Sequence, residues 1–492
     1  MGVLSCKEMR ALEEKAFAAG ATAEGLMDKV GQRIGQAIAR RFPSPGTVVA
    51  FIGKGNNGGD ALVALRWLVE QGWTVAVRCP FGNTDLGVLP RRKLRVLPPD
   101  VLWEDVPSAT PRPLVLLDGL LGIGAQGALR EPLASMAEEM AHLRREHGAY
   151  IVAIDIPSGV DGNTGEIYDG AVQAEWTLTI GVPKTGLLEP RSVSHIGRLE
   201  LIPLEELPVP QGGNLRLITP HTLNFRPEPR PADLHKGQAG KIAVVAGGPG
   251  TTGAAILCGH AALKAGGGLV TLFVPVSMLE RVAVLSPPEL MVRPFTGPEE
   301  ILGGDFDALA AGPGVGPVPN PEFLEIIEQT TIPTVVDADG LNQIAAAKRL
   351  DLLGPRIVAT PHPGEFRRLA SDLAGLPPLE AARAFIDRHP TTLVLKGARS
   401  VVASTNSAVW INSTGTPGMA TAGQGDVLTG VIAALLATGT SPDHAAALGC
   451  WLCGRASEMA IIDHFQSESS LTAGSTLAHL GSAFNDWRNR IA

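Results

Sequence analysis

Thr47-Val-Val-Ala-Phe-Ile-Gly-Lys-Gly-Asn-Asn-Gly-Gly-Asp60 runs six apolar or β-branched residues into a glycine loop, and Ala61 onward continues as a helical pattern to Glu70. A continuously apolar run is the mark of a strand covered on both faces, because a half-exposed strand would alternate. Gly53, Gly55 and Gly58 satisfy G-x-G-x-x-G. In that pattern glycines let backbone N–H groups approach phosphate while the helix N-terminus adds partial positive charge. Strand, glycine loop, helix is the opening unit of an α/β fold.

The same rhythm extends outward. Further strands are predicted at 73–79, 114–117, 151–156, 177–180 and 198–202, with helical stretches between them. Such repetition implies an α/β sandwich with right-handed crossovers, in which ligands bind beyond the carboxyl ends of the strands. From Pro208 to Pro231 the rhythm breaks into Pro-Val-Pro, Gly-Gly and Arg-Pro-Glu-Pro-Arg-Pro, a linker composition. A second alternation follows at 242–246, 269–274, 308–311, 334–336, 357–359 and 393–395, and after Gly425 the pattern is helical. The expectation is therefore two α/β sandwich domains, a Rossmann-like one over 1–207 and a second over 234–492, joined by a linker at 208–233.

The chain has 492 residues, more than one core usually supports, and 45% are hydrophobic against 18% charged, a globular balance. A net charge of −8 with no basic block excludes nucleic acid and anionic membrane as natural partners. The charged opening (Lys7, Glu8, Arg10, Glu13, Glu14, Lys15) predicts an amphipathic helix, not a signal peptide. Leu4-Ser5-Cys6 has no apolar stretch before it and is not read as a lipoprotein site. No apolar run reaches the roughly 18–20 residues that span a bilayer, so the cytoplasm is expected. Five cysteines make no disulfide framework, and Cys450-Trp-Leu-Cys453, in an apolar helical stretch without a nearby His, reads as core packing.

In the first half a bare glycine pattern is weak evidence, since Gly122-Ile-Gly-Ala-Gln-Gly127 fits it as well. The acid that would bind a dinucleotide ribose is missing where the second strand ends Val77-Arg78-Cys79-Pro80, which argues against an ordinary dehydrogenase. The combination of residue types is more specific. Asn56, Asn57 and Asp60 lie in the first loop, Asp118 ends one strand, and Asp155-Ile-Pro-Ser-Gly159 follows another. Each alone could cap a helix or make a turn. Together at the ends of parallel strands they should share a cleft.

These motifs, with Leu117-Asp-Gly119 and Gly181-Val-Pro-Lys-Thr-Gly186, resemble the NAD(P)H-hydrate epimerase family over nearly all of this half. The resemblance implies that Asn56, Asn57, Gly58, Gly59 and Asp60 hold the nucleotide substrate, as do Gly122, Ile123, Gly124, Ala125, Gln126, Gly127 and Ala128. It implies that Asp155 acts at the hydrated nicotinamide ring, where epimerisation needs an acid and a base, with Lys184 in electrostatic support. It also implies a potassium ion held by oxygens of Asn57, Asp118 and Ser158, hard ligands that suit it. Met27-Asp-Lys-Val-Gly31 departs from the family, which more often shows Glu-Asn-Ala after Met.

The second half carries glycine-rich or polar loops after five segments: Gly247-Gly-Pro-Gly-Thr-Thr-Gly253, Gly312-Pro-Gly-Val-Gly316, Thr360-Pro-His-Pro-Gly-Glu365, Lys396-Gly-Ala-Arg-Ser400 and Gly423-Gln-Gly-Asp426. Glycines opening a helix offer N–H groups to a transferring phosphoryl group, and an adjacent Asp can accept a proton from the attacking hydroxyl. No G-x-x-x-x-G-K-[ST] occurs, so this is not a P-loop. The arrangement resembles the ribokinase-like fold and, within it, the NAD(P)H-hydrate dehydratases, on Pro417-Gly-Met-Ala-Thr-Ala-Gly-Gln-Gly-Asp426 and Thr360–Glu365. Gln424 stands where that family usually has Thr.

By that resemblance Asp426 is the base on the substrate hydroxyl, and phosphorylation by ADP converts the hydroxyl into a leaving group that the ring nitrogen expels. Lys396, Gly397, Ala398, Arg399, Ser400 and Gly425 would bind the adenine nucleotide. Ala254, Gly312 and His362 would contact the NADH or NADPH hydrate. Asp337 and Asp339 are candidates for magnesium or for positioning substrate, or they make a strand-end turn. A homo-oligomer with small-molecule nucleotides as its partners is implied. Two alternatives stand beside this reading: a vitamin-precursor kinase in the second half, and a non-catalytic binding module in the first.

Overall fold

The computed structural model describes residues 2–489 except 83–84, 99–100, 104, 107–109, 208–213, 224, 226, 228, 406 and 465. The chain divides into two compact units, Met1–Gly213 and Asn214–Ala492.

The first unit is built on six parallel strands: β1 (Thr47–Ile52), β2 (Thr74–Arg78), β3 (Leu114–Gly119), β4 (Tyr150–Ile154), β5 (Trp176–Ile180) and β6 (Arg198–Ile202). Their order is β2-β1-β3-β4-β5-β6. The chain leaves β1 for β2 on one side and returns to β3 on the other, so a crevice opens between the loops that follow β1 and β3. Phe51 pairs with Asp118 and Asp118 with Ala153, which brings the ends of the three central strands level. β1 and β3 are buried throughout, as their unbroken apolar sequence requires. Helix Ala23–Arg41 packs its Val30, Ile34, Ala37 and Ile38 into the same core.

The second unit has ten strands: β7 (Leu215–Leu217), β8 (Lys241–Val245), β9 (Leu269–Pro275), β10 (Met291–Phe295), β11 (Ala308–Ala311), β12 (Thr334–Val336), β13 (Ile357–Ala359), β14 (Thr392–Leu395), β15 (Val401–Ala403) and β16 (Val409–Ile411). They are ordered β10-β9-β8-β11-β12-β13-β14-β15-β16-β7. Pairing is parallel from β10 to β14 and antiparallel at β14–β15 and β15–β16. Here the chain reverses direction between β8 and β11, again opening a crevice beyond the strand ends. Helices Thr252–Lys264 and Gln424–Ala437 cover one face and pack closely: a Cβ on Gly430 would collide with the Cys258 carbonyl oxygen and stand 2.7 Å from the Ala261 Cβ.

Two α/β sandwich units are thus what the sequence led one to expect, with three differences. The stretch 208–233 is not a free spacer along its length. Residues 208–213, 224, 226 and 228 lie outside the described residues, but β7 pairs with β16, and Ile218 and Leu223 are buried in the second core. Strands β7, β10, β15 and β16 were not anticipated. Three of them are only three residues long, and β10 carries Pro294, which an edge strand tolerates. Third, helix Pro442–His464 contains a 21-residue segment, 442–462, apolar enough to cross a membrane by length and mean hydropathy. That segment is 78% buried and supplies core residues such as Trp451 and Leu452, so its apolarity is accounted for by packing. Cys450 and Cys453 on it are buried free thiols, as expected of core residues.

Two candidate active sites

In the first unit Asn56 and Asn57 open helix Asn56–Glu70. Asn57 reaches across the crevice: its amide nitrogen donates to Leu121 O (2.7 Å) and Ile154 O (3.0 Å), tying together the ends of β1, β3 and β4. Asp118 is fully buried. Its carboxylate accepts from Ser158 N (2.7 Å), Ser158 Oγ (2.7 Å) and Leu120 N (3.2 Å). Burial dominates over these neutral donors and pushes its pKa up to about 6. Asp118 is a buried carboxylate with no ion-pair partner among the described residues, hydrogen-bonded to Ser158, and both supply oxygen, the hard donor a monovalent cation takes.

Asp155 directly follows β4 and holds φ at +68°, a left-handed conformation rare for a residue with a Cβ. That turn brings its carboxylate back under the strand ends, where Oδ1 accepts from Ile180 N (3.0 Å) and pairs with Lys184 Nζ. Lys184 is fully buried and also donates to Ile180 O (2.9 Å) and Thr179 Oγ1 (3.3 Å). Asp60 is buried as well, and burial first, then Asp155 and Glu13, hold its carboxyl well above the usual range. The cluster therefore combines a carboxylate paired to lysine with a carboxyl that favours its proton, the elements of acid–base chemistry.

The glycines of the first loop have a packing explanation of their own. A Cβ on Gly58 would stand 2.7 Å from Gly53 O, and one on Gly59 would overlap the end of the Met27 side chain, 2.6 Å from its Sδ. The segment Gly122 to Ala128 forms a partly exposed turn beyond β3, and Arg10 donates to Ile123 O (3.1 Å).

In the second unit Gly423 takes φ +89°, which lets the chain turn sharply into helix Gln424–Ala437. Gly425 and Asp426 occupy its first turn. Beneath them lies a charged cluster from three strand ends. Lys396 Nζ donates to Asp337 Oδ1 (2.7 Å) and lies 3.9 Å from Glu365 Oε2, and Thr429 Oγ1 donates to Asp337 Oδ2 (2.9 Å). A Cβ on Gly425 would stand 3.2 Å from Lys396 Nζ and 3.3 Å from Asp337 Oδ2, so the glycine lets the helix settle onto this pair. Burial opposes the charge on Lys396, but Asp337 and Glu365 outweigh it and its pKa is raised. Asp426 rises to about 7, through burial first and then Asp337, with Glu365 and Asp339 adding and Lys396 opposing.

The remaining second-half candidates have different local settings. Gly397 and Ala398 are exposed in a tight turn closed by Ser400 Oγ, while burial lowers Arg399 to about 10. His362 is exposed and caps helix Pro363–Leu369, with Nδ1 accepting from Gly364 N (2.9 Å). Ala254 is partly buried in the first turn of helix Thr252–Lys264. Gly312 is buried, and a Cβ there would collide with Asp337 O and stand 2.9 Å from Gly340 N. Asp337 and Asp339 both have protein partners in this structure. Asp337 is engaged by Lys396 and Thr429, and Asp339 accepts from Gly316 N (3.0 Å) and Asn342 Nδ2 (3.3 Å). No group of three or more His, Cys, Asp or Glu suited to a metal occurs among the described residues.

Gln424 accepts from Thr476 Oγ1 (3.0 Å) on the neighbouring helix and so buttresses the loop. Sequence reasoning gave no role to Glu365 or Thr429. Glu365 was legible as the third residue after His362, the spacing of a capping box, which it forms with His362 N (2.8 Å). Nothing in the sequence flagged Thr429, which faces Asp337 from one turn inside a helix read only as apolar.

Comparison with known proteins addresses both halves. Residues 23–186 match the family described as YjeF-related protein N-terminus, and residues 242–478 match NAD(P)H-hydrate dehydratase. The bifunctional NAD(P)H-hydrate repair enzyme of Moorella thermoacetica is 36% identical over 88% of this chain and 88% of its own. That of Gloeobacter violaceus is 37% identical over 92% of this chain and 94% of its own. Among solved structures, the ADP/ATP-dependent NAD(P)H-hydrate dehydratase of Bacillus subtilis is 26% identical, covers 56% of this chain and 99% of that one, and superposes with a TM-score of 0.47. With both domains matched in order and the likeness running through nearly the whole of each relative, the chain belongs to the family of bifunctional NAD(P)H-hydrate repair enzymes.

Proposed function

We propose that the first unit interconverts the R and S epimers of hydrated NADH and NADPH, and that the second dehydrates the S epimer, consuming ADP and yielding AMP and phosphate. The observation that carries this is the presence of two strand-end sites, each built around an acid set against a lysine: the buried Asp155 against Lys184, and the partly buried Asp426 above the Asp337–Lys396 pair.

In the epimerase Asn56 to Asp60 and Gly122 to Ala128 line the nucleotide, and Asp155 exchanges a proton with the hydroxyl on the hydrated carbon while Lys184 holds its charge. Asn57, Asp118 and Ser158 would hold potassium, which supplies fixed positive charge to a buried carboxylate. In the dehydratase Asp426 takes the proton from the substrate hydroxyl as its oxygen attacks the terminal phosphorus of ADP. The N–H groups at Gly425 stabilise the transferring phosphoryl group. The ring nitrogen then expels phosphate, and loss of a ring proton restores the dihydronicotinamide. Lys396 to Ser400 serve the adenine nucleotide, with Lys396 also anchoring Asp337. Ala254 and His362 contact the hydrate, and Gly312 acts by letting its loop close on Asp337. Magnesium would arrive on the phosphates of ADP. The enzyme is taken to be cytoplasmic and self-associating, as the resemblance implies.

The test is incubation of the protein with mixed-epimer NADH hydrate, ADP and magnesium while the reduced-nicotinamide absorbance is followed. Complete recovery of NADH with one phosphate per NADH is expected. Accumulation of a stable phosphorylated product would instead mean a kinase.

A further inference from the structure

Three carboxylates and one lysine share the first cleft, and the third carboxylate comes from an element that none of the motifs touches. Helix Cys6–Ala18 is fastened over the strand ends at several points. Leu4 N donates to Pro183 O (3.0 Å) and Thr185 N to Leu4 O (3.0 Å), beside Lys184. Cys6 N donates to Asn163 Oδ1 (2.8 Å), and Arg10 grips the Ile123 carbonyl. Met9 is 1% exposed, its Cε 3.1 Å from where a Gly181 Cβ would stand. Residues three and four apart share a helix face. Glu13, three beyond Arg10 and four beyond Met9, therefore looks the same way, toward the cleft, and is partly buried.

The charged groups around it are Asp155, Lys184 and Arg10, together with Asp60 from the helix after β1. Lys184 is engaged by Asp155, while the carboxyls of Glu13 and Asp60 make no side-chain hydrogen bond or ion pair among the described residues. Arg10 is committed to the Ile123 carbonyl, so three carboxylates face two cations that are already engaged. Burial first, and Asp155 next, hold the Glu13 carboxyl above its ordinary range, and Asp60 is raised further. Acid and base thus coexist at one pH on different walls of the cleft.

Inverting a carbon that bears both a hydroxyl and the ring nitrogen needs this pair. The hydroxyl takes a proton from the acid and departs as water; the C–O bond breaks and the nitrogen lone pair forms the C=N bond. Water then adds to the opposite face, a new C–O bond forms, and the proton goes to the carboxylate. The next turnover runs with the roles exchanged.

We propose that Glu13 is a catalytic residue of the epimerase, the acid–base partner of Asp155 contributed by the N-terminal helix. This rests on the epimerase reading above. The test uses the full chain and pure S hydrate without ADP, so that dehydration is silent, with chiral separation of the epimers and subtraction of the spontaneous rate. Variants are Glu13→Gln, Glu13→Asp and, at the exposed neighbour, Glu14→Gln. Thermal unfolding of each reports an intact fold. Glu13→Gln should lower kcat by about 100-fold or more, the usual cost of a lost acid or base, with KM nearly unchanged and one limb of the pH profile gone. Glu13→Asp should restore part of the rate, and Glu14→Gln should match wild type. The proposal is overturned if Glu13→Gln stays within about twofold of wild type, or if it slows while keeping both pH limbs. A wild-type protein that leaves the S epimer untouched would overturn the epimerase reading itself, and the proposal with it.

Discussion

Asp426 gives the dehydratase a pH dependence that an ordinary aspartate would not. With its pKa at about 7, the carboxylate is about 10% ionised at pH 6 and about 90% at pH 8. Since the base must be ionised to accept the hydroxyl proton, kcat/KM for ADP-dependent dehydration should rise about ninefold across that interval, equivalent to about 1.3 kcal/mol. An aspartate near pKa 3.9 would leave the rate flat above about pH 5. The assay is initial NADH formation from S hydrate with ADP and hydrate both well below saturation, so that kcat/KM taken over pH 5 to 9 reports the free enzyme. Two variants fix the cause. Glu365→Gln removes a charge that raises Asp426 while keeping an acceptor for His362 N, so the limb should move to lower pH. Lys396→Met removes the opposing cation, so the limb should move to higher pH. Asp426→Asn should abolish the activity while leaving epimer interconversion intact. A flat profile, or two variants shifting the limb in the same direction, would refute the argument that these neighbours set the base.

Asp155→Ala should dehydrate one epimer at the normal rate and then stall with about half of a racemic hydrate left, because pockets that misplace a hydroxyl by 1 Å or so lose large rate factors; uninterrupted conversion, followed by absorbance, would contradict the epimerase assignment. Asp118→Asn removes the charge that potassium would neutralise. It should erase the dependence of epimerisation on potassium, measured against a bulky organic cation, and an unchanged dependence would locate the ion elsewhere. Gly430→Ala forces a methyl group onto the Cys258 carbonyl between two packed helices. It should cost about 1–3 kcal/mol in denaturant unfolding of the second unit, and a loss below about 0.5 kcal/mol, the level of an ordinary surface change, would contradict that packing.

Much of this architecture could be read from the chain because parallel strands buried on both faces are written as unbroken apolar runs, and 47–52, 198–202, 308–311, 334–336 and 357–359 were anticipated to the residue. The antiparallel extension escaped notice because three residues such as Val409–Ile411 are too few to display a period. Polar loops at strand ends announced the two clefts, since topology alone makes such ends converge. What could not be read was which side chains pair inside them. Lys396 was expected to serve the nucleotide, and only the fold reveals its bond to Asp337, 59 positions away. Glu13 escaped for a different reason: a charged residue on an amphipathic helix looks solvated until the helix is seen fastened at Leu4, Cys6 and Arg10.

The overlap of Met27 with the space beside Gly59 ties the binding loop to a helix without chemistry of its own. A side chain added at position 59 alone meets the thioether, and a shortened residue at 27 alone leaves a void, yet the two changes together exchange one volume for the other. The positions are therefore epistatic. Helix Ala23–Arg41 thereby limits which loop variants can be inherited without loss.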